Sequence, residues 1–163
     1  EALCHTYHYL NNISVTVLRY FTVYGPAGRP DMSMFRFVQW ISEDRPLTIY
    51  GDGQQTRDFT YVDDIARGTI RALKPPGFET INLGSNSPVS VMEVVRLIEK
   101  LTSKTARLEF EPAHPTDVPS TWADITKADR LLGWAPQTGI EEGTEELVKW
   151  YRDNRDWARE VTT

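Results

Sequence analysis

Short strand-like runs alternate with helix-like segments along almost the whole chain, and this alternation limits the possible folds more than any other feature. Runs rich in β-branched and aromatic residues predict strands over 15–20, 47–50, 57–61, 80–83, 107–110 and 121–124. Apolar residues at helical spacing predict helices over 1–10, 33–43, 63–73 and 140–154. Alternation of this kind is typical of layered α/β proteins, so we predict an α/β fold with some parallel sheet.

Local signals predict where several of these elements begin and end. Helix starts in the second half combine Ser or Thr with an acidic residue three positions later, which is the spacing of a capping box. These pairs are Ser90 with Glu93, Thr126 with Asp129, and Thr138 with Glu141. Helix 63–73 is expected to end at the Pro-Pro-Gly sequence 75–77, and the Gly-Asp-Gly sequence 51–53 predicts a turn.

The composition excludes several classes of protein. With a formal net charge of −5 and a pI near 5.2, the chain lacks the basic character that nucleic-acid binders usually show. Cys4 is the only cysteine, so no internal disulfide is possible, and we expect its thiol to be buried as a small apolar group. No apolar run approaches the roughly 18 residues of a membrane span, and no signal-peptide pattern is present. The sequence predicts a soluble, cytoplasmic protein without membrane contact.

The first predicted strand, 15–20, is apolar enough to be buried and is followed at once by residues that form loops. Proline lacks the N–H that a strand ladder needs, so the Gly-Pro step at 25–26 and the Arg-Pro step at 29–30 cannot continue a strand. Proline also restricts its own backbone. We therefore expect a stiff loop over 21–32 that presents polar side chains just beyond the strand.

Several separated motifs resemble those of one enzyme family. They are "LRYFTVYGP", "LTIYGDGQQTRDFTYVDDI", "INLGS" and "WADITKADRLLGWAPQT", and their order and spacing match from residue 1 to about residue 151. The chain resembles the extended short-chain dehydrogenases/reductases, and among them the NAD-dependent nucleotide-sugar epimerases and dehydratases. The block "RYFTVYGPAGRPDM" resembles the corresponding block of epimerases that act on UDP-glucuronate. The resemblance implies a Rossmann-like parallel sheet, NAD as cofactor and a UDP-sugar as substrate.

Two motifs that this family uses for cofactor binding and catalysis do not occur in the 163 residues. There is no G-x-G-x-x-G or G-x-x-G-x-x-G turn, and no tyrosine is followed four positions later by lysine. The stretch "EALCHTYHYL" resembles the segment just after the family's catalytic lysine. We therefore expect residues 1–163 to be a carboxy-terminal substrate-binding portion, with the last Rossmann elements near 1–24 and 62–84. No catalytic residue is assigned in this chain, and tight NAD binding to it is not expected.

Arg57 is predicted to bind the diphosphate of the substrate. A guanidinium fork matches phosphate oxygens two at a time, and the family places its diphosphate arginine in the same Arg-Asp-aromatic motif. The alternative is an exposed ion pair with Asp58, worth under about 1 kcal/mol. We expect Asp58, Asp63 and Asp64 to accept hydrogen bonds from backbone N–H groups and to cap the helix that follows them.

Thr22 and Arg29 are predicted to bind the carboxylate of a glucuronate. A hydroxyl and a guanidinium both donate hydrogen bonds to a carboxylate, and the resemblance places both residues against that group. Alternatively, Thr22 packs at the end of a strand and Arg29 is a solvated loop residue. Relatives with several other specificities carry Asn at the position of Thr22.

The resemblance also assigns the remaining nucleotide contacts. The backbone at Ile49 and Tyr50 would bind the uracil ring, with an aliphatic side chain against the ring face. Asp117 matches an acidic residue near the ribose. His114 stands where relatives usually carry Arg or Gln, so the contact on the ribose side differs here.

Phe21, Val23 and Tyr24 are the predicted cofactor contacts. By resemblance, backbone groups of Phe21 and Val23 would meet the nicotinamide carboxamide, while the Tyr24 ring either stacks on the cofactor or packs in the protein. His5 and His8 lie one helical turn apart without a third ligand nearby, so no metal site is expected.

The parent protein is therefore expected to be an NAD-dependent UDP-sugar 4-epimerase, specifically for UDP-glucuronate, that forms a homodimer. A UDP-glucuronate decarboxylase, a nucleotide-sugar 4,6-dehydratase and a UDP-hexose 4-epimerase remain alternatives within the family. A different class of function is a UDP-binding module that does not turn its ligand over.

Overall fold

Helices and strands alternate in the structure as the sequence patterns predict. The structure, a computed structural model, describes residues 1–73 and 76–163, so Pro75 of the predicted helix stop lies outside the described residues. Over those two ranges the helices are α1 (Ala2–Asn11), α2 (Ser33–Ser42), α3 (Val62–Arg71), α4 (Val91–Thr102), α5 (Thr126–Leu132), α6 (Ile140–Asp153) and α7 (Arg155–Ala158). The strands are β1 (Val15–Tyr20), β2 (Thr22–Tyr24), β3 (Pro46–Tyr50), β4 (Thr56–Arg57), β5 (Phe59–Tyr61), β6 (Phe78–Leu83), β7 (Val89–Ser90) and β8 (Arg107–Glu111).

The strands associate in pairs, most of them parallel. β1 pairs with β6, β2 with β5, and β3 with β8 in parallel, whereas β4 and β7 are antiparallel. Parallel neighbours need a crossover between them, and the intervening helices provide it. The predicted α/β fold with parallel sheet is therefore confirmed. None of the described helices is both long and apolar enough to cross a membrane.

The larger hydrophobic core lies between α2, α4, α6 and the strands β2, β3 and β5. Phe35, Val38 and Ile41, which are spaced for one face of α2, are all almost fully buried in this core. Leu147 and Tyr151 occupy the inner face of α6 in the same way. A second, smaller core joins α3, α5 and β6 through the buried side chains Ile65, Ile81, Leu83, Ala128 and Trp134. Burial of apolar area at these faces supplies the main stabilisation of the helices against the sheet.

The capping box predicted at Ser90 and Glu93 is confirmed. The Glu93 N–H donates to Ser90 Oγ over 3.1 Å, and the Ser90 N–H donates to Glu93 Oε2 over 2.8 Å. The two predicted caps at Thr126 and Thr138 are wrong. Thr126 lies inside α5, and α6 begins after Gly139 instead.

Buried carboxylates account for several differences from the predicted elements. Asp64 accepts the N–H groups of Gln137 (3.1 Å) and Thr138 (3.0 Å), which ties the segment before α6 to α3 instead of leaving Thr138 to cap a helix. Asp64 therefore satisfies backbone donors, as predicted. It does not cap α3, however, because that helix begins after Tyr61 and both Asp63 and Asp64 lie in its first turn.

Asp58 divides the predicted strand 57–61 into β4 and β5. Its fully buried carboxylate accepts the N–H groups of Ser85 (2.5 Å), Asn86 (3.0 Å) and Ala123 (2.9 Å). The predicted strand 121–124 is not formed, because the Ala123 N–H is bonded to this side chain and not to a neighbouring strand. One carboxylate thus joins three segments that are remote in sequence.

The stiff loop predicted over 21–32 contains a strand that the sequence patterns did not indicate. Thr22–Tyr24 pairs with Phe59–Tyr61, and the loop begins only after it. At the turn, Gly25 adopts φ +144°, and a Cβ there would lie 2.7 Å from Val62 Cγ1. Only glycine fits both the conformation and the space, so the chain can turn over the start of α3.

The prediction that β1 is buried is wrong for this chain. Its residues are only partly buried, and Tyr20 is exposed, because β1 pairs with β6 alone among the described residues. No residue of α1 is buried, so the expected burial of Cys4 is also wrong. Large apolar side chains of α1, including Tyr9 and Leu10, are exposed beside this strand.

We expect the 163-residue chain to self-associate, because an open strand edge beside exposed apolar side chains favours pairing with another chain. Light scattering over a concentration series should show a rising mean mass, and Leu10→Lys should reduce it. Leu73→Lys, at another strongly exposed leucine that lies outside α1 and β1, is the control and should leave the association unchanged. A monomer at every concentration would contradict the prediction.

Candidate functional site

A cleft of about 270 Å³ lies where α2 faces β3 and the short strand β4. We call it the α2–β3 cleft. Its defining side chains are Arg36, Trp40, Ile49, Tyr50, Arg57 and Asp117. Ile49, Tyr50, Arg57 and Asp117 were predicted from the sequence as substrate contacts, and the structure brings all four to this one cleft.

Arg57 is held in a defined orientation at the end of β4. Its Nη1 donates to the Thr56 carbonyl oxygen over 2.7 Å, and its Nη2 donates to Asp117 Oδ1 over 2.5 Å. The Arg57 side chain is only 17% exposed. The ion pair that the alternative interpretation placed at Asp58 is thus formed with Asp117, since Asp58 is engaged by backbone N–H groups. A pre-oriented guanidinium at the cleft wall is suited to binding a phosphate group.

β3 contributes one buried and one exposed side chain to the cleft. Ile49 is buried, while the Tyr50 ring is half exposed, as the alternation of a strand requires. The Tyr50 carbonyl oxygen accepts a hydrogen bond from Gln55 Nε2 over 2.9 Å. The predicted turn 51–53 follows, and Gly53 is required there because φ is +74° and a Cβ would lie 2.6 Å from Met92 Cγ.

His114 lies beside this cleft. It belongs to the exposed segment after β8, where its Nδ1 is 2.8 Å from Thr116 Oγ1. A hollow of about 420 Å³ is lined by Tyr50, His114, Thr116 and Asp117 and adjoins the α2–β3 cleft through the two residues they share. The imidazole therefore stands near the position predicted for the ribose side of the site.

The structure does not bring Thr22 and Arg29 to the cleft wall. Thr22 lies on β2, where its N–H donates to the Asp58 carbonyl oxygen over 3.1 Å. Arg29 lies on the exposed loop after β2, and its Nε and Nη2 bind the two carboxylate oxygens of Asp31 at 3.1 and 2.5 Å. This guanidinium holds the pKa of Asp31 below its usual value. Because Asp31 itself lines the cleft, the pair places Arg29 at the cleft margin.

Of the predicted cofactor contacts, Tyr24 is not available. Its ring is buried in the larger core against Phe59 and Tyr61, and its hydroxyl donates to the Gly139 carbonyl oxygen over 3.3 Å. Burial raises the pKa of the Tyr24 hydroxyl. The packing alternative for Tyr24 is therefore the one that the structure shows, and stacking on a cofactor is wrong.

Phe21 lies between β1 and β2, and Val23 lies within β2. The Phe21 N–H donates to the Leu83 carbonyl oxygen over 3.1 Å, and Val23 packs against the smaller core. The Phe21 N–H is thus already used by the protein. A nicotinamide carboxamide would have to use other backbone groups of this segment.

His5 and His8 pack their rings against Phe78, with centroids 5.0 and 5.7 Å from its centroid. His8 Nδ1 also lies 2.5 Å from the Ile13 carbonyl oxygen. Within the described ranges, no group of three or more His, Cys, Asp and Glu side chains is arranged to hold a metal ion.

Arg36 and Trp40 were missed by the sequence analysis, although both line the cleft. They lie one helical turn apart on α2, and the Arg36 guanidinium carbon is 5.8 Å from the centroid of the Trp40 ring. A signal was present in the sequence. A positive charge in the first turn of a helix interacts unfavourably with the helix dipole. An arginine at that position therefore indicates a role other than stabilising the helix.

Comparison with known proteins gives a consistent set of similarities. Residues 1–84 match the profile of the NAD dependent epimerase/dehydratase family. The chain is 52% identical over 162 residues to a UDP-glucuronate 4-epimerase of Thermodesulfobacterium geofontis. The matched region covers 99% of this chain and 50% of that protein. The chain thus spans about half the length of the curated relatives it matches.

Solved structures show the same similarity in three dimensions. The UDP-glucuronic acid 4-epimerase of Bacillus cereus, in complex with UDP-glucuronic acid and NAD, is 42% identical with a TM-score of 0.89 over 94% of this chain and 50% of that one. A UDP-glucose 4-epimerase of Thermotoga maritima with UDP-glucose is 29% identical with a TM-score of 0.90, over 94% of this chain and 51% of that one.

Proposed function

Because the chain belongs to the NAD dependent epimerase/dehydratase family, we propose that it forms the sugar-nucleotide-binding part of a UDP-glucuronate 4-epimerase. The observation that carries this proposal is the α2–β3 cleft, in which the oriented guanidinium of Arg57 lies beside the exposed edge of β3. A diphosphate would bind Arg57, and the uracil ring would lie against Ile49 and Tyr50. The similarity of this chain to UDP-glucuronate 4-epimerases supports the choice of glucuronate as the sugar.

In the complete enzyme, NAD would supply reversible hydride transfer at the sugar carbon that is epimerised. The residues of this chain would bind and orient the substrate. Arg57 would hold the diphosphate while the sugar turns, and Thr22 and Arg29 would bind the glucuronate carboxylate. Backbone groups at Phe21 and Val23 would meet the nicotinamide.

Binding of UDP by the 163-residue chain tests this function, and we expect it to be measurable by titration calorimetry. UDP-glucuronate should bind more tightly than UDP-glucose, since only the former offers a carboxylate to Arg29. ADP is the control ligand, because it shares the diphosphate but not the base. Equal affinity for UDP and ADP would contradict uracil recognition at β3, and absence of UDP binding would contradict the proposal.

We also expect no epimerisation by the 163-residue chain when NAD is added. The family's Tyr-x-x-x-Lys pair and glycine-rich turn do not occur in this sequence, and they supply the proton transfer and the pyrophosphate site. NMR of UDP-glucuronate with chain and NAD should show only the starting sugar. Formation of the C4 epimer above a no-protein control, with protein of verified mass, would contradict the expectation.

A further inference from the structure

The guanidinium of Arg36 has no hydrogen-bond or salt-bridge partner in the part of the chain that the structure describes, although its charge contributes to the lowered pKa of the nearby Asp31. Its Nε is shielded from solvent without a hydrogen-bond acceptor, and the side chain forms no salt bridge with any described residue. A buried donor left without an acceptor is destabilising, and more so when it is charged. Fold stability therefore does not explain the position of Arg36, and a bound ligand could supply the acceptor that its Nε lacks.

Helix α2 offers the charge of Arg36 no acidic partner. The residue lies in the first turn, where the helix dipole disfavours a positive charge, and that turn contains no acidic side chain. The carboxylate that precedes it, Asp31, is already bound by Nε and Nη2 of Arg29. The contact with Trp40, at 5.8 Å from the ring centroid, restrains the guanidinium but does not neutralise it.

The charges around the α2–β3 cleft show what would complete the site. Arg57 is paired with Asp117, and Asp31 is paired with Arg29, so each of these charges is offset. Among the described charged side chains of the cleft wall, Arg36 is the one without a salt bridge. An anion in the cleft would supply the missing partner, and a guanidinium prefers phosphate or carboxylate oxygens.

We infer that Arg36 binds a phosphate group of the nucleotide from the α2 side of the cleft, as a second guanidinium in addition to Arg57. This inference rests on the proposed function, because the phosphate is that of a nucleoside diphosphate. Two arginines from different elements hold the diphosphate more rigidly than one. The nucleotide therefore stays in place when the sugar moves.

Titration calorimetry with UDP, uridine and inorganic pyrophosphate tests the role of Arg36. Arg36→Gln should weaken the binding of UDP and of pyrophosphate at least tenfold and leave uridine binding within twofold. Arg36→Lys, which keeps the charge but not the fork, should give an intermediate loss. The matched control is Arg96→Gln on the exposed side of α4, which should change none of the affinities. The thermal midpoint of Arg36→Gln should equal or exceed that of the wild type, since the variant removes an unfavourable charge from the first turn of α2.

The outcomes separate this inference from the proposed function. If Arg36→Gln binds UDP as the wild type does, the inference is overturned while UDP binding stands. An equal loss for uridine and UDP would assign Arg36 to the base or ribose and also overturn it. If the wild type binds pyrophosphate in an Arg36-dependent manner but does not bind UDP, the anion site stands and the proposed function fails. Binding of neither UDP nor pyrophosphate overturns both.

Discussion

Replacing Arg57 by alanine is expected to weaken UDP binding by about 2–5 kcal/mol, as for one partner of a desolvated charge pair. That corresponds to a rise in Kd of roughly thirtyfold to several thousandfold. The side chain is only 17% exposed, and Thr56 and Asp117 orient its two terminal nitrogens before any ligand binds. Titration calorimetry of the 163-residue chain with UDP measures the effect.

Arg130→Ala is the matched control for this experiment, because Arg130 is an exposed arginine on α5 and does not line the cleft. Its Kd for UDP should equal that of the wild type. Thermal unfolding of both variants separates binding from stability. An unchanged Kd in Arg57→Ala would show that the diphosphate binds elsewhere, whether or not the thermal midpoint falls. Arg57 would then have only a structural role, in its ion pair with Asp117.

Replacing Arg29 by alanine in the complete enzyme is expected to lower kcat/KM for UDP-glucuronate at least a hundredfold, or about 2.7 kcal/mol. The kcat/KM for UDP-glucose should fall less than about threefold, because a hydroxymethyl group leaves no charge unpaired. The structure shows Arg29 already bound to a carboxylate, that of Asp31. Substrate binding would thus exchange one carboxylate for another at a guanidinium whose geometry already suits it.

A second arginine offers a matched control for Arg29. Arg155 binds Glu43 through two nitrogens, at 2.8 and 2.9 Å, and does not line the α2–β3 cleft. Arg155→Ala should leave the ratio of kcat/KM for the two sugars unchanged. If Arg29→Ala lowers kcat/KM for both sugars by the same factor, Arg29 is a structural or diphosphate residue. If the wild type prefers UDP-glucose, the assignment to glucuronate is wrong from the outset.

Features set by neighbours in the sequence were predicted well. The bounds of β1 match the predicted range 15–20, and α6 differs from its predicted range by a single residue at one end. The capping box at Ser90 also formed as predicted, because both of its hydrogen bonds join residues three positions apart. Periodicity and capping act over one or two turns, so they can be read without knowing the rest of the fold.

Features that depend on remote partners were predicted poorly. Thr138 has the same capping pattern as Ser90, yet its N–H is bonded to the buried carboxylate of Asp64, far away in the sequence. Asp58 interrupts a strand for the same reason, because it collects N–H groups from two distant segments. Local patterns could not reveal these bonds, since a buried acceptor takes whichever donors the tertiary fold brings to it.

The candidate site shows the same contrast between local features and features that depend on remote partners. The sequence by itself determined which chemical groups are available, namely an arginine after β3 for a diphosphate and polar side chains after β1 for a sugar. Only the tertiary structure decided that Arg57 is paired with Asp117, that Tyr24 is buried in the core, and that Arg29 is held by Asp31. It also placed Arg36, whose guanidinium has no salt bridge among the described residues, in the cleft wall, and no local pattern predicted that position. The reason is physical: residue type sets what a side chain can bind, whereas burial and charge pairing depend on neighbours that only folding brings together.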